Sequence, residues 1–315
     1  LIVSGRIRDQ QRQSASQDPV RVRFFEPPEP LRRYFTSFYL VEIDRYVGET
    51  DHLHPEWANL RFFSGGCPVA EGASGDRVER VRFCATGPSS RSVRFSLGPT
   101  RMWGIGLLPL GWAMFVKEPA ATLADRVIDG EAHPAFAGFA ELAGSLFGPV
   151  ADEQAELARI AAHFTARVRP AVPRQAQILA LHAALIDPEV ASARELAART
   201  GFSQRTVERI AADAFGFTPK LLLRRQRFMR SLAQYMLDPS LKWIGALDGH
   251  YHDQAQFVRD FREFMGMTPR EYAALPKPVI GAIMRERARV AGRAVQALDS
   301  PAGGAAMVAG AQSSP

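Results

Sequence analysis

Two short stretches at a 50-residue offset carry the residue types that can read the edges of base pairs. One is Ser203-Gln204-Arg205-Thr206-Val207-Glu208-Arg209, ending in Phe215-Gly216-Phe217-Thr218-Pro219; the other is Asp253-Gln254-Ala255-Gln256-Phe257-Val258-Arg259, ending in Met265-Gly266-Met267-Thr268-Pro269. Ser203 and Asp253 can accept hydrogen bonds from the orphaned amides that open a helix. Gly216 and Gly266 can supply the left-handed conformation that ends one. At helical spacing the apolar Val207 and Phe257 turn inward. Gln204, Arg205, Thr206, Glu208 and Arg209 then face solvent in the first copy, and Gln254, Ala255, Gln256 and Arg259 in the second. Arginine and glutamine make paired hydrogen bonds to guanine and adenine in the major groove, which is the chemistry these positions offer. An ordinary solvated helix face is the alternative for any one of them, and Arg209 and Arg259 can instead pair with Asp213 and Glu263 one turn on.

Such helices need a partner to aim them. Ala193–Arg199 reads as a short helix, Thr200-Gly201-Phe202 as a turn, and Ala197 and Gly201 are small enough for a steep helix crossing. Leu196, Phe202, Val207 and Ile210 would close a small core, which completes a helix-turn-helix. The lead-in to the second copy, Leu241–Tyr251, is less regular, because Gly249 lies farther from Phe257 than Gly201 lies from Val207. Between the copies runs a long helix, roughly Pro219–Leu237. No acid falls between Asp213 and Asp238, whereas Lys220, Arg224, Arg225, Arg227 and Arg230 all do. Lys220, Arg224, Arg225 and Arg227 are therefore the expected phosphate contacts. Residues 175–275 carry 13 basic against 11 acidic residues, so local arrangement and not net charge must attract a polyanion.

The rest of the 315-residue chain frames this module. Hydrophobic residues at 46% and charged residues at 23% match a folded protein of about two domains. Residues 1–21 read as a flexible tail. From there to about Ile128 short β-like runs alternate with Gly, Pro and Ser clusters: Val20–Phe25, Phe35–Ile43, Asn59–Phe63, Arg77–Cys84, Ser92–Leu97 and Met102–Leu108, the texture of a sandwich or small barrel. Residues 134–169 change to helical spacing, with Gly148-Pro149 as a break between two helices that could form a dimerisation surface. Prolines in Arg169–Pro173 place a boundary, giving domains at 22–170 and 175–275. Beyond Pro276 and Pro278 a further helix is expected to about Leu298, then a disordered tail to 315.

The net charge of +6 and a pI near 9.7 favour a polyanionic partner. No apolar run is long enough to span a membrane and no signal-peptide core is visible, so a soluble, cytoplasmic protein without a membrane partner is expected. Cys67 and Cys84 lack zinc or disulfide spacing.

Over about 100 residues the chain resembles the AraC/XylS family of transcription regulators, most specifically in Tyr251–Tyr272. More weakly, residues 30–130 resemble the cupin-like sensing barrels that precede this module in many members, through Trp57-Ala58-Asn59-Leu60 and Gly87-Pro88. The resemblance implies an α+β multidomain protein: an N-terminal β-rich cupin-like barrel with a following helix pair, and a C-terminal all-α double helix-turn-helix. It also implies promoter binding, often as a homodimer and often as an activator contacting RNA polymerase, and it leaves room for a small-molecule effector. Carrying the family's contact positions over puts Arg205, Glu208, Arg209, Gln254, Gln256 and Arg259 on the bases.

His52, His54 and Glu56 invite a metal, but the Glu falls too early for a cupin metal motif and no later His completes it. His250, His252 and Asp253 fit capping and DNA contact better. No dinucleotide, phosphate-loop or nucleophile-elbow pattern occurs, so neither enzyme activity nor a cofactor is expected. Trp57, Phe62, Trp103 and Trp112 could line an effector pocket or simply be core. Besides the regulator, a cupin-like metalloenzyme with an appended DNA-binding module and a ligand-independent architectural protein are the other readings.

Overall fold

The computed structural model describes residues 18–47, 50–65, 68–238, 245–292 and 294–300. The N-terminal region is built from strands β1 (Val20–Phe25), β2 (Phe35–Ile43), β3 (Asp51–Leu53), β4 (Asn59–Gly65), β5 (Val69–Glu71), β6 (Arg77–Glu79), β7 (Phe83–Thr86), β8 (Val93–Ser96), β9 (Thr100–Leu107) and β10 (Val127–Asp129). They form a six-stranded sheet in the order β1-β2-β9-β4-β7-β10 and a four-stranded sheet in the order β3-β8-β5-β6. All pairings are antiparallel among the described residues.

Period-2 alternation divides β2 between two cores. Phe38 and Leu40 point to one side of the large sheet, where they join Leu60, Phe62, Trp103, Ile105 and helical residues. Tyr39, Val41 and Ile43 point to the other, where Phe63, Met102, Val93 and Phe95 fill the space between the sheets. A strand covered on both faces reads as a nearly unbroken apolar run, as FTSFYLVEI does.

The expected single strand Arg77–Cys84 is two strands in different sheets, because Arg80 takes φ of 57° and turns the chain. The expected helix pair is present as a 3₁₀ turn (Pro134–Phe139) running into α2 (Ala140–Ser145), then α3 (Glu153–Thr165), after α1 (Pro109–Phe115). Its apolar side is spent within the chain: Phe136, Phe139, Leu142, Leu146, Ile160 and Phe164 are all buried against the sheet. A dimer contact through these helices would have to use their outer side. Glu156 fixes α3 in place by accepting hydrogen bonds from the Arg101 guanidinium at 2.8 Å and from Trp103 Nε1 at 2.6 Å.

The helical region comprises α4 (Gln175–Ile186), α5 (Ala193–Thr200), α6 (Gln204–Ile210), α7 (Pro219–Leu237), α8 (Gln254–Met265), α9 (Pro269–Ala274) and α10 (Pro278–Ala291). The core on the outer side of the large sheet continues without a gap past 169–173 into Ile178, Leu181, Leu196, Val207, Ile210 and Phe215. A separate core joins Phe228 and Leu232 of α7 to Phe257, Phe261 and Phe264 of α8 and to Tyr272. The C-terminal helix docks back on the barrel. Asp51 Oδ2 accepts from Val279 N (3.0 Å) and Ile280 N (2.9 Å), and Val279 and Ala282 complete the core between the sheets. The helix expected to run to about Leu298 ends instead at Ala291, where Gly292 takes φ of 66°, and a separate 3₁₀ turn covers Gln296–Leu298; residues 1–17 and 301–315, where the tails are expected, lie outside the described residues. No described helix is long and apolar enough to cross a membrane.

Candidate nucleic-acid interface

Both copies of the repeat fold as capped helices. Ser203 accepts from Thr206 N at 3.3 Å to open α6, and Asp253 accepts from Gln256 N at 2.6 Å to open α8. Gly216 at φ 86° and Gly266 at φ 72° close them, the first after one π turn over Ala211–Phe215. Ahead of α6, α5 starts with a reciprocal capping box between Ser192 and Glu195 and ends on Gly201 at φ 71°. Leu196, Val207 and Ile210 are buried and Phe202 packs at the edge, so the first helix-turn-helix closes the small core its sequence implied. Part of the lead-in to the second, residues 239–244, lies outside the described residues.

The faces left to solvent are polar. Gln204, Arg205, Glu208 and Arg209 are exposed on α6, and Gln254, Ala255 and Arg259 on α8. Thr206 and Gln256 are half-buried because their side chains join the caps: Ser203 Oγ donates to Thr206 Oγ1 (3.0 Å), and Gln256 Oε1 accepts from His252 N (3.3 Å). The helix-internal ion pairs open to Arg209 and Arg259 are not formed. Asp213 is taken by Arg174 at 2.7 Å and Glu263 by Arg224 at 2.6 Å, so neither Arg209 nor Arg259 has an ion-pair partner among the described residues.

Between the two units lies an open groove of about 580 Å³ lined by Ser192 and Ala193 at the start of α5, Lys220, Arg224, Arg227 and Arg230 of α7, and His250 and Gln256 at the entry to α8. Only part of that basic run is free to meet a phosphate. Lys220 is exposed. Arg224 bridges Asp260 and Glu263, both at 2.6 Å; burial lowers its pKa, but the two carboxylates outweigh that and raise it. Arg227 pairs with Asp260 at 2.9 Å and lies 4.3 Å over the Tyr251 ring. Arg225 points the other way, into the β region. It is fully buried, 4.2 Å over the Trp57 ring, and donates to the Ser89 carbonyl at 3.0 Å. Burial without a carboxylate partner pulls its pKa down to about 9. Arg225 thereby leaves the expected phosphate set, since it does not reach the surface, while Arg224 and Arg227 still line the groove with their charges shared with Asp260.

Of the two readings open to the aromatic residues of the β region, pocket lining or core, the structure has core. Trp57, Phe62, Trp103 and Trp112 are each at most 1% exposed and belong to the large core, where Phe62 stacks on Phe83 at 4.4 Å. Vacant space occurs on the opposite side of the sheet. A cavity of about 60 Å³ lies between Tyr39, Asn59 and Arg61 of the sheet and Met284, Arg287 and Gln296 of the C-terminal segment. An apolar slot of about 30 Å³ adjoins it through Leu53, Arg61 and Ile283. Arg61 is neutralised there by Glu56 at 2.8 Å. Period-2 reading of β2 and β4 could have found this side, which aromatic content does not mark. His54, weighed as a metal ligand, is instead hydrogen-bonded to Tyr272 OH at 2.6 Å and held neutral by burial, its pKa lowered to about 3.

Residues 196–274 match the family model described as a helix-turn-helix domain. No curated protein matches the chain. Among solved structures, the chain is similar to ToxT from Vibrio cholerae, at 9% identity over 75% of this chain and 96% of that one, with a TM-score of 0.40. The unsaturated fatty acid bound form of ToxT, at 10% identity over 76% of this chain and 95% of that one, gives 0.41. The AraC-like transcriptional activator CuxR, at 13% identity over 69% and 88%, gives 0.29.

Proposed function

We propose, from the premise that residues 196–274 form an AraC-type helix-turn-helix domain, that the chain is a sequence-specific DNA-binding transcription regulator acting in the cytoplasm. In this reading α6 and α8 enter successive major grooves. The observation that carries it is the state of the two repeated helices: each is capped by its own side chain and buried along its apolar side. Each presents Arg or Gln to solvent in its first two turns, with no acid spent on Arg205, Arg209 or Arg259. Exposed Arg and Gln in the first turns of a helix are the groups that meet base edges when its N-terminal end enters a major groove. Gln204, Arg205, Thr206, Glu208, Arg209, Gln254, Gln256 and Arg259 form the reading set, with Thr206 and Gln256 acting partly through the caps. Lys220 supplies the phosphate contact on the groove between the units, where DNA backbone would lie. As an activator it would also meet RNA polymerase.

The test compares two variants of the full chain on DNA selected from a random pool. Arg205→Ala should change which bases are preferred at one position, costing about 1–3 kcal/mol on the selected site and little on unrelated duplex. Lys220→Ala should weaken all duplexes alike and reduce the salt slope by about one. Equal losses on selected and unrelated DNA for both variants would refute base reading by α6.

A further inference from the structure

The loop Gly87–Ser92, between β7 and β8, touches the far ends of both proposed reading helices. At the end of α6, Gly216 abuts the loop so closely that a Cβ there would come within 3.2 Å of Pro88 Cβ. At the end of α8, Ser92 N donates to Phe264 O at 2.7 Å and Ser92 Oγ to Met265 O at 3.1 Å, satisfying carbonyls that a helix end leaves orphaned. Midway, Ser89 O takes the hydrogen bond from Arg225 of α7, the helix that joins the two units.

The loop itself is stiff. Asp125 accepts from Ser90 N (2.6 Å), Ser90 Oγ (2.7 Å) and Arg91 N (3.1 Å), and its own amide donates to Pro88 O (2.9 Å). Ser89 exchanges two hydrogen bonds with the Glu56 backbone, at 3.0 and 2.9 Å. A Cβ at Gly87 would fall 1.8 Å from Leu123 O. Asp125 holds this position at φ 57°, a left-handed conformation that surrounding bonds must over-determine in a residue other than glycine.

α6 and α8 belong to different cores joined through α7, which places Leu222 and Leu223 in the first and Phe228 and Leu232 in the second, so neither helix packs on the other directly. We infer that the loop Gly87–Ser92 is a spacing element: by tying the C-terminal ends of α6 and α8 to one rigid support, it fixes how many base pairs the protein accepts between the two DNA segments it reads. Ser92 and Asp125 are its positioning residues. The inference rests on the DNA-reading function proposed above. It gives the β region a part in specificity that no base contact supplies. Each base pair added between the segments moves the second by about 3.4 Å and about a tenth of a turn, which a clamped pair of helices cannot follow.

The experiment measures Kd of the full chain on its own selected duplex and on versions with one or two base pairs inserted or removed between the two segments. Asp125→Gly removes the carboxylate while tolerating the backbone conformation, and Ser92→Ala removes one bond to α8 only. The wild type should lose about tenfold per base pair of change. Asp125→Gly should lose no more than about threefold and Ser92→Ala an intermediate amount, with affinity for the original spacing within about threefold of wild type. A residue that merely stabilised the fold would lower the melting temperature and leave the spacing penalty intact. Should Asp125→Gly fail to fold, Ser92→Ala decides alone. Folded variants that keep the full wild-type penalty overturn the inference while leaving DNA reading standing; a wild type that selects no sequence overturns both.

Discussion

The two helix-turn-helix units share a motif and are held by different physics. In the first, Leu196, Val207, Ile210 and Phe215 merge with the core of the large sheet, and the ion pair of its recognition segment, Arg174–Asp213, is exposed on both sides. In the second, α8 is seated on α7 by charge as well as by its phenylalanines. Asp260, 3% exposed, receives Arg224 (2.6 Å), Arg227 (2.9 Å) and Tyr251 OH (3.0 Å), and Arg230 holds Asp248. The repeat therefore specifies a capped helix with a polar outer face, but not how that helix is fastened. An acid-free basic run in sequence is not a free basic surface in space, because its acids arrive from another helix.

This contrast can be broken most sharply at Asp260. Asp260→Ala leaves two guanidinium groups beside an apolar core without their shared carboxylate, and denaturant unfolding of the full chain should show a loss of about 3–5 kcal/mol. The matching change in the first unit, Asp213→Ala, should cost about 0–1 kcal/mol, because both partners there are solvated. Similar losses at the two sites would erase the distinction. The first unit should instead be vulnerable to truncation: Leu196, fully buried, should cost about 2–5 kcal/mol as Leu196→Ala.

Acid probes both seats through neutral histidines. Burial lowers the pKa of His182, packed beside Trp57 and Phe215 near the first unit, and of His54, bonded to Tyr272 in the second, in each case to about 3. The unfolded chain takes up a proton below about pH 6.5, while the folded one refuses it until about 3. Stability present above about pH 6.5 is thus lost progressively as pH falls, by about 2 kcal/mol per histidine at pH 5. Denaturation midpoints measured from pH 7.5 to 5 should show it, and His182→Leu should remove part of the slope; an unchanged slope would mean that this site is open to water. Modest effects belong to the caps. Ser203→Ala and Asp253→Ala should each cost about 1 kcal/mol, nearly alike, because the capping geometry is the part the two units share.

That shared part was also the most legible in sequence. Ser203, Asp253, Gly216 and Gly266 announce helix ends by local chemistry, and the inward Val207 and Phe257 by spacing, so the exposed polar faces follow. Strands β1 and β2 were readable residue for residue, since β-branched and aromatic runs bounded by proline and charge leave little choice. Tertiary partners were not readable. Arg225 looks like its neighbours along the chain, and only the fold shows it facing Trp57. β3, β5 and β10 span three residues each, too short for a periodicity to register, and the docking of α10 on Asp51 depends on a contact 228 residues away in sequence. Trp57, Trp103 and Trp112 illustrate the same limit: composition shows that large side chains will be buried, but not whether they surround a space or fill it.

The most direct measurement is purine-methylation interference with the full chain on its selected duplex, which reports guanine N7 contacts in the major groove. Two helices reading successive grooves predict two clusters of interfering guanines on one face of the DNA, about 10–10.5 base pairs apart centre to centre. Arg205→Ala should erase signal from one cluster alone. A single cluster, or two clusters on opposite faces of the duplex, would contradict the account.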